Sequence, residues 1–496
     1  MQAYILSIDQ GTTSSRALLV DQDGNVAHSE QQEFAQYFPN DGWVEHDPRE
    51  IWKTTLSTAS KVLQHAKGLS GNVEAIGITN QRETTIVWDR HTGEPVYNAI
   101  VWQDRRTADV CRSLNDPGTS EVIQDKTGLL LDPYFSATKL AWILDQVPGA
   151  RQRANRGDLA FGTVDAFLIW HLTGGASHAT DATNASRTMM FNIRTNEWDR
   201  ELLKLFSVPE NCLPEVKDCA DNFGVADSRV LGQALPILGV AGDQQAALFG
   251  QACFEPGMLK STYGTGCFLV INTGAVLVKS RHRMLSTIGY RLDGQTHYAM
   301  EGSIFVAGAV MQWLRDELHV FKDSEESAEL AQSLEDNCGV YMVPALTGLG
   351  APHWLPDARG AVFGMTRDTG KAQLARAALE SVAYQSADLL EAIQSDGGSI
   401  NRLRIDGGMT NNSWFCQFLS DILDLPVDRP ANTETTALGA AYLAGLKCGL
   451  YASLESISKN WRAGPAFEPR MDAEQRKQHL KCWKKAVDMV ARFAKR

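Results

Sequence analysis

One pattern occurs twice in this sequence and constrains its fold more than any other feature: an apolar strand, a polar turn rich in Gly and Thr, and a second apolar strand. The first copy is SIDQGTTSSRALLVD at residues 7–21, and the second, KSTYGTGCFLVINTG, occupies residues 260–274. The copies share pattern rather than identity. Repetition on this scale predicts two related halves, each opened by a hairpin whose turn faces a common cleft. A chain of 496 residues has room for two large units. The stretch LPILGVAGDQQAALFGQACFEPG at 235–257 reads as the crossover, which places a boundary near residue 248 and units at 1–248 and 249–496.

Helical signals alternate with the strands. In HDPREIW, Asp47 is a cap, Pro48 takes the first helical position and Glu50 completes a capping box, with the helix ending near Gly68. In the second half, VYMVPAL and NRLRIDGG read as strands. SIFVAGAVMQWLRDEL reads as a helix capped by Ser303, and ETTALGAAYLAGLKCG as one that stops at Gly449. The expected class is α/β throughout. The last stretch, RKQHLKCWKKAVDMVARFAKR, is basic, and its Leu480, Trp483, Val487, Val490 and Phe493 recur at helical spacing. It is expected to pack on its own domain as a terminal helix with a solvated basic face.

Bulk properties exclude several classes. A net charge of -12 argues against duplex nucleic acid as a partner. Nine cysteines with no C-x-x-C and no Cys/His cluster predict reduced thiols and no zinc site, hence a cytoplasmic chain. MQAYILSID lacks a basic leader and reaches Asp9 too early for a signal peptide, and no apolar run approaches a bilayer span, so no membrane insertion is expected. Neither G-x-x-x-x-G-K-[ST] nor a strand-coupled G-x-G-x-x-G occurs, which disfavours P-loop and Rossmann enzymes.

The first turn has the composition of an anion site. Gly11 permits a tight turn whose backbone N–H groups point at one anion, and Thr12, Thr13 and Ser14 add hydroxyl donors. Asp9, at the end of the strand, is placed to hold Mg²⁺ through water. Arg16 is a charge-assisted donor for β/γ phosphate oxygens. Alone, the turn equally describes a solvated hairpin; with Gly264, Thr265 and Gly266 in the second copy, it becomes half of a clamp on a triphosphate. In RIDGGMTNN, Gly407 and Gly408 allow a flat ring to approach the backbone, and Asn412 offers donor and acceptor to an adenine edge. Gly308 and Gln312 share a helix face that can line the same pocket.

Three polar clusters end apolar runs, where ligand crevices form in α/β sheets: TNQRETT with Arg82 and Glu83, DPYFSATKLAW with Tyr134, and GDQQAA with Asp243 and Gln244. Together with DQGTTSSR, GWVEHDP, NAIVWQDRRT, TNASRTM, YGTGCF, VPALTGLGAP and TTALGAAYLAG, they give the chain a close resemblance to the FGGY carbohydrate kinases over essentially its full length. YFSATKLAWILDQ and GAVFGMTRDTGKAQLARAALE match the two signatures of that family. The NQRE, DPYFSATK and GDQQ segments resemble its glycerol-phosphorylating branch.

The resemblance implies a two-domain, actin-like (ribonuclease H-like) ATPase fold flanking a cleft, and ATP with Mg²⁺ for phosphorylation of glycerol at its 3-position. It implies that Arg82, Glu83, Tyr134, Asp243 and Gln244 hold the glycerol hydroxyls, with Trp102 and Phe268 as apolar walls. Thr12, Thr13, Ser14, Arg16, Thr265, Gly308, Gln312, Gly408 and Asn412 would take the nucleotide, and Asp243 would be the base. A homodimer or homotetramer is implied as well. Another polyol or sugar kinase of the family, or an actin-like ATPase driven by protein partners, are the alternatives. Met409 stands where the family commonly has alanine. SRVLGQALPI lacks the basic loop that binds fructose 1,6-bisphosphate in some members, and CADNFG lacks the regulatory histidine of others.

Overall fold

Both expected hairpins form in the computed structural model, which describes residues 2–398, 400 and 402–494. Asn401, in the NRLRIDGG strand, and Lys495 and Arg496, at the basic end, lie outside the described residues. In the first hairpin β1 (Gln2–Gln10) pairs antiparallel with β2 (Ser14–Asp21), and β3 (Val26–Glu33) follows. The two-residue period of β1 sends Leu6 and Ile8 into one core, beneath α1 (Pro48–Ala66), and Ile5 into another on the opposite face. With β4 (Gly71–Asn80), β5 (Val225–Ala226) and β6 (Leu235–Gly242), these strands form a six-stranded sheet of order β5-β6-β4-β1-β2-β3, and β4 is parallel to both β1 and β6.

After α2 (Asp243–Gly250) the plan repeats. β7 (Leu259–Tyr263) and β8 (Cys267–Gly274) form the second hairpin, followed by β9 (Leu285–Leu292), β10 (Gln295–Ile304) and α3 (Gly308–Asp316). Beyond α4 (Lys371–Ser395) come β11 (Leu403–Asp406), β12 (Val427–Pro430), α5 (Thr435–Lys447), β13 (Ala463–Phe467) and α6 (Ala473–Ala494). The second sheet has the order β9-β10-β8-β7-β11-β12-β13. Its inner run β10-β8-β7-β11-β12 has the antiparallel and parallel pairings of β3-β2-β1-β4-β6.

The lobes interlock through two helices. α5 follows a strand of the second sheet yet lays Ala437, Ala441 and Ala444 on the first, in one core with Ile5 and Val20. Leu248 of α2 packs against Val270 and Ala299 of the second sheet. Glycine lets the two helices touch: a Cβ on Gly439 would lie 1.8 Å from the Ala246 carbonyl oxygen, and one on Gly250 would lie 1.9 Å from that of Thr435. Residue 248 falls inside α2.

Three local readings are corrected. Ser303 does not cap a helix: it pairs with Phe268 in the sheet, and the helix begins at Gly308. Extended pairing continues to Ile304 because β8 stays in register that far, with Cys267 opposite Ile304, although β9 stops at Glu301. Glu50 does not complete a capping box, since its carboxylate accepts from the Ala35 N–H; Asp47 caps α1 alone. The VYMVPAL strand is short, Tyr341–Val343, and pairs with Ala361–Phe363 outside the main sheet. In α6, Trp483, Val487 and Val490 are buried in the second-lobe core and Leu480 packs at its margin, while Phe493 is 66% exposed.

Candidate functional site

The end of β4 delivers Arg82 and Glu83 to the cleft in a tight backbone bend. Glu83 sits at φ +59, and its carbonyl oxygen accepts from the hydroxyls of Thr85 and Ser136, which hold the residue in that costly conformation. Arg82 is almost fully buried. Its Nη1 donates to Glu301 at 2.5 Å and to Gln245 at 3.0 Å, its Nη2 donates to Glu301 at 3.1 Å, and its Nε lies 3.1 Å from Asp243. A guanidinium has five N–H donors, so one Nη2 hydrogen is left without a partner among the described residues. Glu83 accepts from Arg187 Nε through Oε1, leaving Oε2 open. Asp243 accepts from the Gln244 N–H and faces Arg82 through Oδ1, leaving Oδ2 open.

Aromatic rings close this polar shell. Trp102 lies edge-on to Tyr134 and to Phe268, with centroids 5.7 and 6.0 Å away, and Phe268 is itself 5.9 Å below the Arg82 guanidinium. Tyr134 is buried, yet its hydroxyl has no protein partner among the described residues. Phe268 belongs to the second hairpin, and Trp102 Nε1 donates to Thr12 Oγ1 of the first turn at 3.0 Å. Both hairpins therefore meet the same pocket.

The nucleotide-side residues also converge. A cavity of 310 Å³ is lined by Gly264, Thr265, Gly308, Gln312, Gly408 and Asn412, with Met409 in its wall. A neighbouring cavity of 320 Å³ is lined by Arg16, Thr262, Asp406, Gly407, Gly408 and Glu434, and Gly408 borders both. The path therefore runs from the second lobe to Arg16 of the first. Gly407 needs its left-handed φ of +92, and a Cβ there would press on the Tyr263 backbone. Gly264 and Thr265 are seated on α3, whose Gly308 and Ala309 N–H groups donate to their carbonyls; Gly266 closes the turn, its carbonyl accepting from the Gly264 N–H. Thr13 is exposed at the first turn, and Ser14 Oγ accepts from Gln31 of β3. Asn412 does not offer both functions of its amide: Oδ1 caps a helix by accepting from the Phe415 N–H, and only the buried Nδ2 is free to donate.

Acids gather where the two paths meet. Burial pushes the Asp9 carboxyl up to about 6; Arg16 opposes this, while Glu434 and Asp243 add to it. Arg16 is held between Glu434 and Asp9. Burial also raises Asp243 against the pull of Arg82 and Lys260. Glu301 goes the other way, since Arg187 and Arg82 outweigh its burial and hold it at about 2. No group of three or more His, Cys, Asp or Glu side chains suited to a metal ion occurs among the described residues. A magnesium ion that keeps its waters needs only one or two carboxylates beside phosphate oxygens, and Asp9, raised chiefly by burial and further by Glu434 and Asp243, fits that need.

Arg82, Glu83, Asp243, Tyr134, Trp102 and Phe268 thus gather in one pocket, while Gly264, Thr265, Gly308, Gln312, Gly408 and Asn412 line a cavity that shares Gly408 with that of Arg16. Sequence reasoning missed Glu301, Arg187, Lys260 and Glu434. Glu301 and Lys260 are fully buried charges set next to the buried apolar residues Met300 and Leu259, and that misfit is the signal that could have marked them.

The model for the N-terminal domain of the FGGY family of carbohydrate kinases matches residues 4–250, and that for its C-terminal domain matches residues 259–448. The chain is 60% identical to a glycerol kinase of Rhodospirillum centenum, covering 97% of each chain, and 59% identical to one of Alcanivorax borkumensis, covering 99% of each. It superimposes on a glycerol kinase of Plasmodium falciparum crystallised with ADP with a TM-score of 0.93, at 39% identity, over 99% of this chain and 98% of that one. Among the described residues, no helix is long and apolar enough to cross a membrane.

Proposed function

The chain belongs to the FGGY family of carbohydrate kinases, and from that premise we propose that it transfers the γ-phosphoryl group of ATP to glycerol, giving sn-glycerol 3-phosphate for glycerol catabolism. The observation that carries this reading is the set of open polar atoms in the acceptor pocket. Donors from Arg82 and Gln244, acceptors from Glu83 and Asp243, and the Tyr134 hydroxyl stand beside the Trp102 and Phe268 rings. Each hydroxyl of a triol both donates and accepts, and the carbon chain of glycerol needs an apolar wall.

Phosphoryl transfer asks the protein for position and for stabilisation of charge. Asp243 Oδ2 accepts the proton of a terminal hydroxyl as that oxygen attacks the γ-phosphorus in line, and Arg82 keeps the carboxylate turned to the acceptor. Thr12, Thr13, Ser14 and the Gly264–Gly266 turn take the phosphates from opposite lobes. Gly308, Gln312, Gly408 and Asn412 take the nucleoside. Arg16 shifts from its acidic neighbours toward the β/γ oxygens. Asp9 would hold Mg²⁺ through water, and that ion supplies neutralisation of the phosphate charge when bound. Closure of the lobes excludes water that would otherwise take the phosphoryl group.

We extend the proposal to a homodimer or homotetramer working in the cytoplasm; nine cysteines without disulfides are in keeping with a reducing compartment. Light scattering on the purified chain tests the assembly. An ADP-release assay with and without glycerol tests the activity, with xylulose, ribulose, erythritol and gluconate as competing acceptors. ADP release that depends on glycerol and is weaker with the longer acceptors is the expected result.

A further inference from the structure

Lys260 lies at the base of the second hairpin, fully buried, and does not itself line either cavity described above. Its Nζ reaches Gln244 Oε1 at 2.5 Å, Thr262 Oγ1 at 3.0 Å and the Phe268 carbonyl oxygen at 3.5 Å. An ammonium group has three N–H donors, and these three acceptors use all of them. No donor remains for a phosphate oxygen, so this cation is not part of the phosphate clamp.

Its three partners come from three parts of the site. Gln244 is an acceptor-pocket residue of the first lobe. Thr262 lines the cavity that holds Arg16, and Phe268 is the apolar wall on the returning strand. The contact with Gln244 has a chemical consequence. The two ends of a glutamine amide have nearly the same shape, and its hydrogen-bond partners decide which way it points. With Oε1 committed to an ammonium, Nε2 must face the pocket; the flipped amide would set N–H against N–H.

We propose that Lys260 is a positioning residue for the acceptor: it fixes the Gln244 amide so that only N–H donors face the substrate, and it ties that amide to the phosphate-binding hairpin of the other lobe. This rests on the glycerol kinase reading given above. The pocket then presents a divided surface, donors from Gln244 and Arg82 on one side and carboxylate acceptors from Asp243 and Glu83 on the other. A hydroxyl set between them has its single hydrogen directed to a carboxylate, as attack by its oxygen requires. Seating of the second hairpin and recognition of the acceptor share one cation, so the first lobe alone has an unfixed amide.

Steady-state kinetics of four variants, with the wild-type enzyme in parallel, test the assignment. Lys260→Met is expected to raise the glycerol KM about tenfold while the ATP KM stays within about twofold. In a Gln244→Ala background the same substitution adds less than about twofold, because the residue through which it acts is gone. Gln244→Glu keeps an oxygen for Lys260 and leaves the thermal midpoint unchanged. It removes the N–H, and is expected to raise the glycerol KM by about tenfold. Additive effects in the Lys260/Gln244 cycle, or a wild-type glycerol KM for Gln244→Glu, would overturn the proposal. Gln244→Glu tests for the pocket-facing N–H even if Lys260→Met does not fold. Wild-type enzyme that releases no ADP in response to glycerol refutes the kinase reading instead.

Discussion

Glu301 of β10 grips Arg82 of the opposite lobe with both carboxylate oxygens, at 2.5 and 3.1 Å, and neither side chain is more than 2% exposed. Arg187 completes a buried quartet by donating to Glu301 and to Glu83. Two cations and two anions cancel inside the protein, which is what makes their burial tolerable. Glu301 and Gln245 also aim Arg82, since they accept from three of its five donors and leave Nε facing Asp243.

Replacing one member leaves a buried charge without compensation. Glu301→Gln is expected to lower stability by about 3 kcal/mol, in the range for breaking a buried ion pair, and to reduce kcat/KM for glycerol by at least about tenfold. Thermal denaturation and steady-state kinetics on the same preparation check both effects.

Asp243→Asn keeps the shape of the side chain and its contact with the Gln244 N–H but removes the proton acceptor. The expected loss in kcat is at least about 10²-fold, with modest change in glycerol KM. Turnover near that of the wild type would remove Asp243 from the role of base.

Asp9→Asn removes the carboxylate proposed to face Mg²⁺. The Mg²⁺ concentration for half-maximal activity is expected to rise about tenfold, measured by titration at saturating ATP and glycerol. Apparent glycerol affinity, read by a thermal shift without nucleotide, should stay unchanged.

Asp165, away from the cleft, gives the protein a dependence on pH. It is fully buried, accepts from the hydroxyls of Thr163 and Thr180, and is pushed up to about 7 by burial and by the nearby Asp181. The folded state therefore holds this proton more tightly than the unfolded chain does. Its contribution to stability is complete below the ordinary aspartate range and is lost as pH rises toward 7, on the order of 4 kcal/mol in all. Asp165→Asn is expected to flatten the stability profile between pH 4 and 7 in chemical denaturation series.

The hairpins and the turn chemistry were legible because short-range rules govern them. Alternation places Leu6 and Ile8 on one face, and glycine marks the turns at Gly11 and Gly264. The start of α3 was misread at Ser303 because a good cap is a local signal, whereas the pairing of Ser303 with Phe268 is set by the sheet. Lys260 and Glu301 escaped notice for a related reason. Their partners lie on other elements, 16 residues away for Gln244 and 219 for Arg82, and no periodicity reveals a contact made between two lobes. Asn412 was found, but its helix-capping bond, which uses up the amide oxygen, depends on the backbone that follows it.

The exchange of α2 and α5 between the sheets bears on how the molecule can be taken apart. A fragment ending at Gly250 would carry a sheet whose face around Ile5, Leu18 and Val20 has lost Ala437, Ala441 and Ala444. Such a piece would be sticky and short-lived alone, and mixing it with the complementary piece would restore the missing cover. Severed halves of this chain should regain catalysis only by reassociating, each supplying the helix that the other lacks.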